Sequence, residues 1–96
     1  MTKREKQSAE NYMKMALKGM EDALKPDIQN MPTNDTEKFR IFCLNRGYYD
    51  GIKDLIATTD RNFFIELLEK YNTRYVEILE KSNKLHQKIF QKVDKY

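Results

Sequence analysis

Cysteine, histidine and long apolar runs are nearly absent from this chain of 96 residues. Cys43 is the only cysteine, so the chain can form no internal disulfide and no four-cysteine metal site. With His86 as the only histidine, zinc would lack ligands, and we expect this histidine to be an exposed helix residue. The longest apolar stretch, residues 41–44, is far shorter than the roughly 20 residues that span a bilayer. We therefore expect a soluble, cytoplasmic protein.

Proline and glycine are scarce, and their positions divide the chain. Pro26 and Pro32 both lie in residues 25–34, which are therefore predicted to form a connector. The three glycines are isolated from one another, so no glycine-rich phosphate loop is present. Residues 60–96 contain neither glycine nor proline, which favours one long helix there.

Helical periodicity is the main pattern in the rest of the chain. Apolar residues recur at steps of three and four over residues 3–24, 35–57 and 60–95. This pattern predicts an all-α fold in a single domain over residues 1–96. We expect a three-helix up-down-up bundle whose long C-terminal helix projects beyond the hairpin of the first two helices.

Two glycines stand four residues apart inside the second predicted helix, and they allow two interpretations. Either the helix ends near Gly47, or it continues and the glycines let another backbone approach closely. Tyr48, Ile52 and Leu55 keep helical spacing across Gly47 and Gly51, which favours the continuous helix.

The third predicted helix carries a heptad seam of the kind found in coiled coils. Its members are Phe64, Leu68, Tyr71, Tyr75, Ile78, Ser82, Leu85 and Ile89. This helix would be about 54 Å long and the other two roughly 33 Å each, so about a third of it would lack an intrachain neighbour. We expect that part to bind a partner or another copy. The predicted contact residues are Tyr75, Ile78, Leu85, Ile89, Phe90, Val93 and Tyr96.

Basic residues are concentrated at the C-terminal end, although the net charge is only +3. The lysine row consists of Lys81, Lys84, Lys88, Lys92 and Lys95. Such a row could contact nucleic acid, an acidic protein surface or an anionic membrane. It could also be the basic flank of an oligomer seam, since lysines suit the negative end of the helix dipole.

No residue pattern in the chain indicates catalysis. Cys43 lies in an apolar segment, where cysteine usually behaves as a small buried hydrophobe. Four glutamates of the third helix share a face without the Glu-x-x-His motif of a di-metal site. We therefore expect neither an enzyme nor a bound cofactor, metal or small-molecule substrate. Six aromatic and basic residues form a possible set of interface anchors: Tyr48, Tyr49, Tyr71, Tyr75, Arg46 and Arg74.

Residues 45–56, NRGYYDGIKDLI, resemble a glycine-spaced helical segment found in many small tailed-phage proteins associated with packaging or virion assembly. The resemblance implies a viral accessory or assembly protein that acts by association, in the host cytoplasm or the virion. We expect a non-catalytic helical module that self-assembles through its C-terminal helix and docks on a larger complex. The alternatives are a nucleic-acid-binding accessory protein that uses the lysine row, and a small inhibitor of a host enzyme.

Overall fold

The computed structural model describes residues 1–25 and 35–93, and within them the side chains of residues 1–25 and 36–89. Its elements are three helices, α1 (Lys3–Ala23), α2 (Asp35–Thr59) and α3 (Arg61–Val93). Neither described range contains a strand, so the predicted all-α fold is confirmed. Most of the predicted connector lies outside the described residues.

Local hydrogen bonds fix where the helices begin. The amide of Glu5 donates to Thr2 Oγ1 at 3.1 Å, and the amide of Thr2 donates to Glu5 Oε1 at 3.0 Å. This capping box satisfies amides that the first turn of α1 leaves unpaired. Asp60 Oδ1 accepts from the amide of Phe63 at 3.1 Å and caps α3 in the same sense.

The core follows the helical period on each element. On α2 the three most buried side chains, Phe42, Tyr49 and Ile56, are seven residues apart and each 1% exposed. The buried apolar residues of α1 are Met13, Ala16, Leu17, Met20 and Ala23, and those of α3 are Phe63, Leu67, Tyr75 and Ile78. A spacing of seven brings side chains back to one face every two turns, so each helix contributes one stripe to a shared core.

The seam of α3 differs from the predicted heptad at its beginning. Phe63 and Leu67 are buried, whereas Phe64 and Leu68 are only half-buried. Farther along, Tyr75, Ile78 and Ser82 are buried as a seam requires, but inside this chain's own bundle. The error arises because both registers offer apolar residues at helical spacing, and only packing against α1 and α2 selects one.

Close packing between α1 and α2 depends on Gly19. A Cβ atom added there would lie 2.5 Å from Asn45 Cγ, closer than real Cβ atoms approach other groups. The Asn45 side chain is held in place because its Nδ2 donates to the carbonyl of Ile41 at 3.0 Å. Because Gly19 has no side chain, α1 can pack closely against α2 where the Asn45 side chain lies.

Candidate functional site

A basic groove lies where the end of α1, the beginning of α2 and the second half of α3 meet. Its volume is about 390 Å³. The lining side chains are Leu24, Lys25, Lys38, Lys81, Lys84, Leu85 and Lys88. Three members of the predicted lysine row are therefore brought together, with two lysines from other helices that the row did not include. The side chains of Lys92 and Lys95 lie outside the described residues.

The positive charge of the groove is only partly neutralised by the chain itself. Lys25 Nζ lies 2.9 Å from Asp22 Oδ1, and this hydrogen bond raises the pKa of Lys25. In contrast, Lys81, Lys84 and Lys88 are exposed and form no ion pair with a described residue. None of the seven lining residues is acidic, so the groove is a site of positive potential.

A second carboxylate beside the groove, that of Glu21, also has a partner. Glu21 lines an adjoining cavity of about 350 Å³ together with Leu24, Lys25, Ile78 and Lys81. Its two oxygens accept from Nε and Nη2 of Arg74, both at 2.8 Å. These bonds to Arg74, with smaller contributions from the charges of Lys81 and Lys25, hold the pKa of Glu21 below its usual 4.5.

A second pair of polar contacts joins α1 to α3. Glu10 Oε1 accepts from Lys70 Nζ at 2.9 Å and from the Tyr71 hydroxyl at 2.7 Å. The two bonds lower the pKa of Glu10, while burial, followed by the bond to Glu10, raises the pKa of Tyr71 to about 12. Two carboxylates of α1, Glu10 and Glu21, thus bind side chains of α3.

Two of the predicted partner contacts lie in the core. Tyr75 and Ile78 are only 7% and 2% exposed, so they offer no free surface, and their assignment as partner contacts is corrected here. Leu85 and Ile89 are half-buried. The side chains of Phe90 and Val93, and the whole of Tyr96, lie outside the described residues.

The length comparison also overestimated how much of α3 lacks a neighbour. The ring of Phe39, near the beginning of α2, lies 5.3 Å from the ring of His86. Lys38 of α2 and Leu24 of α1 line the groove together with Leu85 and Lys88 of α3. Helical neighbours therefore accompany α3 well into its last third, because α2 begins close to that part of the helix.

The four tyrosines predicted as interface anchors are mostly internal, which weakens the hypothesis that the protein is an inhibitor that binds through exposed tyrosines. Tyr49 and Tyr75 stack at 4.5 Å between ring centroids, and the Tyr75 hydroxyl donates to Asp50 Oδ1 at 2.9 Å. Burial raises the pKa of Tyr49 to about 12, and its hydroxyl has no hydrogen-bond partner among the described residues. Only Tyr48 of this set is largely exposed, at 65%.

A second candidate surface lies on α2. Leu44, Tyr48 and Leu55 are 50%, 65% and 65% exposed, and helical spacing places them on one stripe of α2 with Gly47 and Gly51. We name these five residues the α2 outer face. The helix runs unbroken through both glycines, and a Cβ at either would meet nothing within 4 Å. The sequence pattern indicated a wide apolar stripe but not which part of it the core would leave uncovered.

Three further residues differ from expectation in their exposure. Cys43 is exposed and not a buried hydrophobe. Tyr12 and Met15, two apolar residues of α1, are 61% and 66% exposed. Tyr12 lies at the margin of the α1 apolar stripe, whereas Met15 and Cys43 lie farther round their helices, on the side that faces solvent.

Two kinds of site are absent from the described parts of the chain. Those ranges contain no cluster of three or more histidine, cysteine, aspartate or glutamate side chains placed to hold a metal ion. They also contain no helix with both the length and the apolar character needed to cross a bilayer. No protein-family model matches the chain, and comparison with curated proteins and with solved structures gives no significant match.

Proposed function

We propose that this protein is a non-catalytic helical association module that pairs with a second copy of itself and docks on a larger complex. The observation that carries the proposal is the α2 outer face. It presents large apolar side chains to solvent beside two glycines that no described residue approaches. Exposed apolar stripes of this kind mark interaction sites when they are contiguous.

The proposed arrangement of the bundle is up-down-up. Lys6 at the start of α1 lies 3.7 Å from Asp60 at the end of α2, and Gly19 lies against Asn45. These two contacts support an antiparallel pairing of α1 with α2.

The contacts of α3 with α2 support the same arrangement. Asp50 lies beside Tyr75, and Phe39 lies beside His86, so residue numbers fall on α2 as they rise on α3. On this register roughly one turn of α3 continues past the beginning of α2. That end is the remaining candidate for a projecting segment.

The α2 outer face has a spacing that suits pairing with itself. Leu44 and Tyr48 are separated by four residues, Gly51 and Leu55 are also separated by four, and the two pairs mirror each other along the helix. In a two-fold symmetric contact the same patch must serve both copies. An antiparallel pair would place Leu44 against Leu55 of the second copy, and the Tyr48 ring over Gly51 of the second copy.

Gly51 supplies the space that this contact needs. Because it has no side chain and nothing lies within 4 Å of its Cβ position, a tyrosine ring can approach the α2 backbone there. No residue of the face carries a charge, so pairing buries no ion. A face one helix wide is smaller than the roughly 800 Å² per partner of a standard interface. We therefore expect association in the micromolar range.

The resemblance of residues 45–56 to a segment of tailed-phage assembly proteins supports the same class of function. That stretch contains four of the five residues of the α2 outer face. A role in assembling a larger particle would require a surface that holds copies together, and this face is the part of the described chain suited to it.

Sedimentation velocity over a range of micromolar concentrations tests the proposal. We expect the wild-type chain to shift from monomer toward dimer as concentration rises, and Tyr48→Glu to remain monomeric. Val76→Glu is the matched control, because Val76 is 42% exposed on α3, outside the face. A wild-type chain that stays monomeric at high micromolar concentration would contradict the proposal, as would equal effects of the two substitutions.

A further inference from the structure

We infer that the basic groove binds a chain of phosphate groups, as presented by a nucleic-acid backbone or by polyphosphate. The inference does not depend on self-association, because the groove and the α2 outer face share no residue. The lysine row by itself is compatible with a solvated helix flank. What changes the interpretation is that lysines from α2, from α3 and from the residues just after α1 line one concave site of about 390 Å³.

The placement of the lysines suits an extended ligand. Lys81, Lys84 and Lys88 lie three and four residues apart on one helix, so their Cα atoms spread over roughly 10 Å along its axis. Lys25, at the end of α1, and Lys38, on the first turns of α2, line the same groove. A chain of anionic groups lying along α3 would thus meet cations from α1 and α2 as well.

The side-chain types favour phosphate over other anionic partners. Lysine is a point charge that suits phosphate oxygens without requiring a fixed orientation, and no arginine lines the groove for bidentate recognition of a carboxylate. Of the lining residues that the structure describes, only Leu24 and Leu85 are apolar, too few to insert into a membrane or to receive the apolar stripe of a helix.

The residue types that line the groove also predict how the affinity depends on base sequence and on salt concentration. Among the described residues no aromatic side chain lines the groove, so they offer bases no stacking platform there. Affinity should therefore be electrostatic and independent of base sequence. For single strands the logarithm of the binding constant falls with the logarithm of salt concentration by about 0.7 per neutralised phosphate. Use of Lys81, Lys84 and Lys88, which form no ion pair with a described residue, corresponds to a slope of roughly −2.

Fluorescence anisotropy with a labelled oligothymidine at several salt concentrations tests the inference on the full-length chain. Replacing Lys81, Lys84 and Lys88 together by glutamine should shallow the slope by about two units and weaken binding strongly at low salt. The matched control replaces Lys3, Arg4 and Lys14 by glutamine. It removes the same charge from exposed positions outside the groove. Circular dichroism verifies that both variants remain helical.

Competition identifies the source of the phosphate and can overturn the inference. Displacement by unlabelled RNA or duplex DNA but not by polyphosphate assigns the groove to nucleic acid, and displacement by polyphosphate as well assigns it to phosphate chains in general. Equal weakening by the two triple variants, or equal displacement by poly-glutamate, would refute a phosphate-binding groove. Binding to anionic lipid vesicles without binding to the oligonucleotide would refute it too.

Discussion

The stacked tyrosines Tyr49 and Tyr75 offer a test in which one chemical change, loss of a hydroxyl, should have opposite effects. The Tyr49 hydroxyl is buried without a hydrogen-bond partner among the described residues, whereas the Tyr75 hydroxyl donates to Asp50 at 2.9 Å. A buried group without a partner costs about 1–3 kcal/mol. Tyr49→Phe should therefore raise the free energy of unfolding by about 1 kcal/mol, because it removes that cost and keeps the stacked ring.

Tyr75→Phe should lower the free energy of unfolding. It deletes a hydrogen bond to a carboxylate, a type worth about 1.5–3 kcal/mol when buried. Because Asp50 is 38% exposed and water can replace the lost donor, we expect a loss nearer 1 kcal/mol. Urea denaturation followed by circular dichroism measures both changes, and an unchanged m-value would show that the unfolded state is unaffected. Equal destabilisation by the two substitutions would refute this account of the pair.

Alkaline pH provides an independent measurement of the same site. An unfolded tyrosine loses its proton near pH 10, whereas burial raises the pKa of Tyr49 to about 12. Between these values the folded chain holds the proton more tightly, so stability should fall as pH rises from about 10 to 12. Tyr71, whose pKa is also about 12, contributes to the same loss. The Tyr49→Phe variant should therefore show a shallower decline, while below pH 9 the slopes of the two proteins should coincide.

Three further predictions concern the contacts between helices. Gly19→Ala gains about 1 kcal/mol of helix propensity but forces a methyl group against Asn45, and overpacking of this kind costs about 1–3 kcal/mol. We expect a net loss in urea denaturation, which Asn45→Ala restores. Glu21→Gln should cost under about 1 kcal/mol, because its bonds to Arg74 are partly exposed. Those bonds lower the pKa of Glu21, so they stabilise the fold above pH 4.5 and are lost as pH falls through the lowered value. The free energy of unfolding of the variant should therefore depend less on pH in this acidic range. Asp60→Ala should lower the melting temperature because it removes the cap of α3.

Two of these predictions have a control within the chain. Gly47→Ala makes the same substitution as Gly19→Ala, but nothing lies within 4 Å of its Cβ position, so it should stabilise the fold by up to about 1 kcal/mol. Asp60→Asn keeps an acceptor for the Phe63 amide but loses the charge that faces Lys6, so it should lower the melting temperature less than Asp60→Ala does. If Gly47→Ala destabilised as much as Gly19→Ala, the explanation by close packing of Gly19 against Asn45 of α2 would fail.

Periodicity was sufficient to predict the fold class and the positions of the helices. α1 ends one residue, and α2 two residues, from the predicted limits, because apolar spacing and cap residues are local properties of the chain. The capping box of Thr2 and Glu5 was also visible in the sequence as a threonine followed three residues later by glutamate. That signal was available and was missed.

The surfaces could not be predicted in the same way, because exposure depends on how three helices meet. Leu44 and Phe42 are both apolar residues of α2, yet one is 50% exposed and the other 1%. The α3 pattern likewise could not show that α2 begins close enough to place Phe39 beside His86. The sequence predicted only part of the basic groove. Its three α3 lysines were in the predicted row, whereas Lys25 and Lys38 join it only through the meeting of the helices.

The carboxylates Glu10 and Glu21 have a consequence for how uniquely the bundle is assembled. Apolar stripes tolerate sliding, because one leucine can replace another as a neighbour at small energetic cost. Directional bonds do not, since a shift of α3 by one residue turns each side chain by about 100° and moves it about 1.5 Å. Such a shift would break the bonds of Glu21 to Arg74 and of Glu10 to Lys70 together. These partly exposed bonds add little to stability, but they select a single register of α3 from several that the apolar pattern alone would permit.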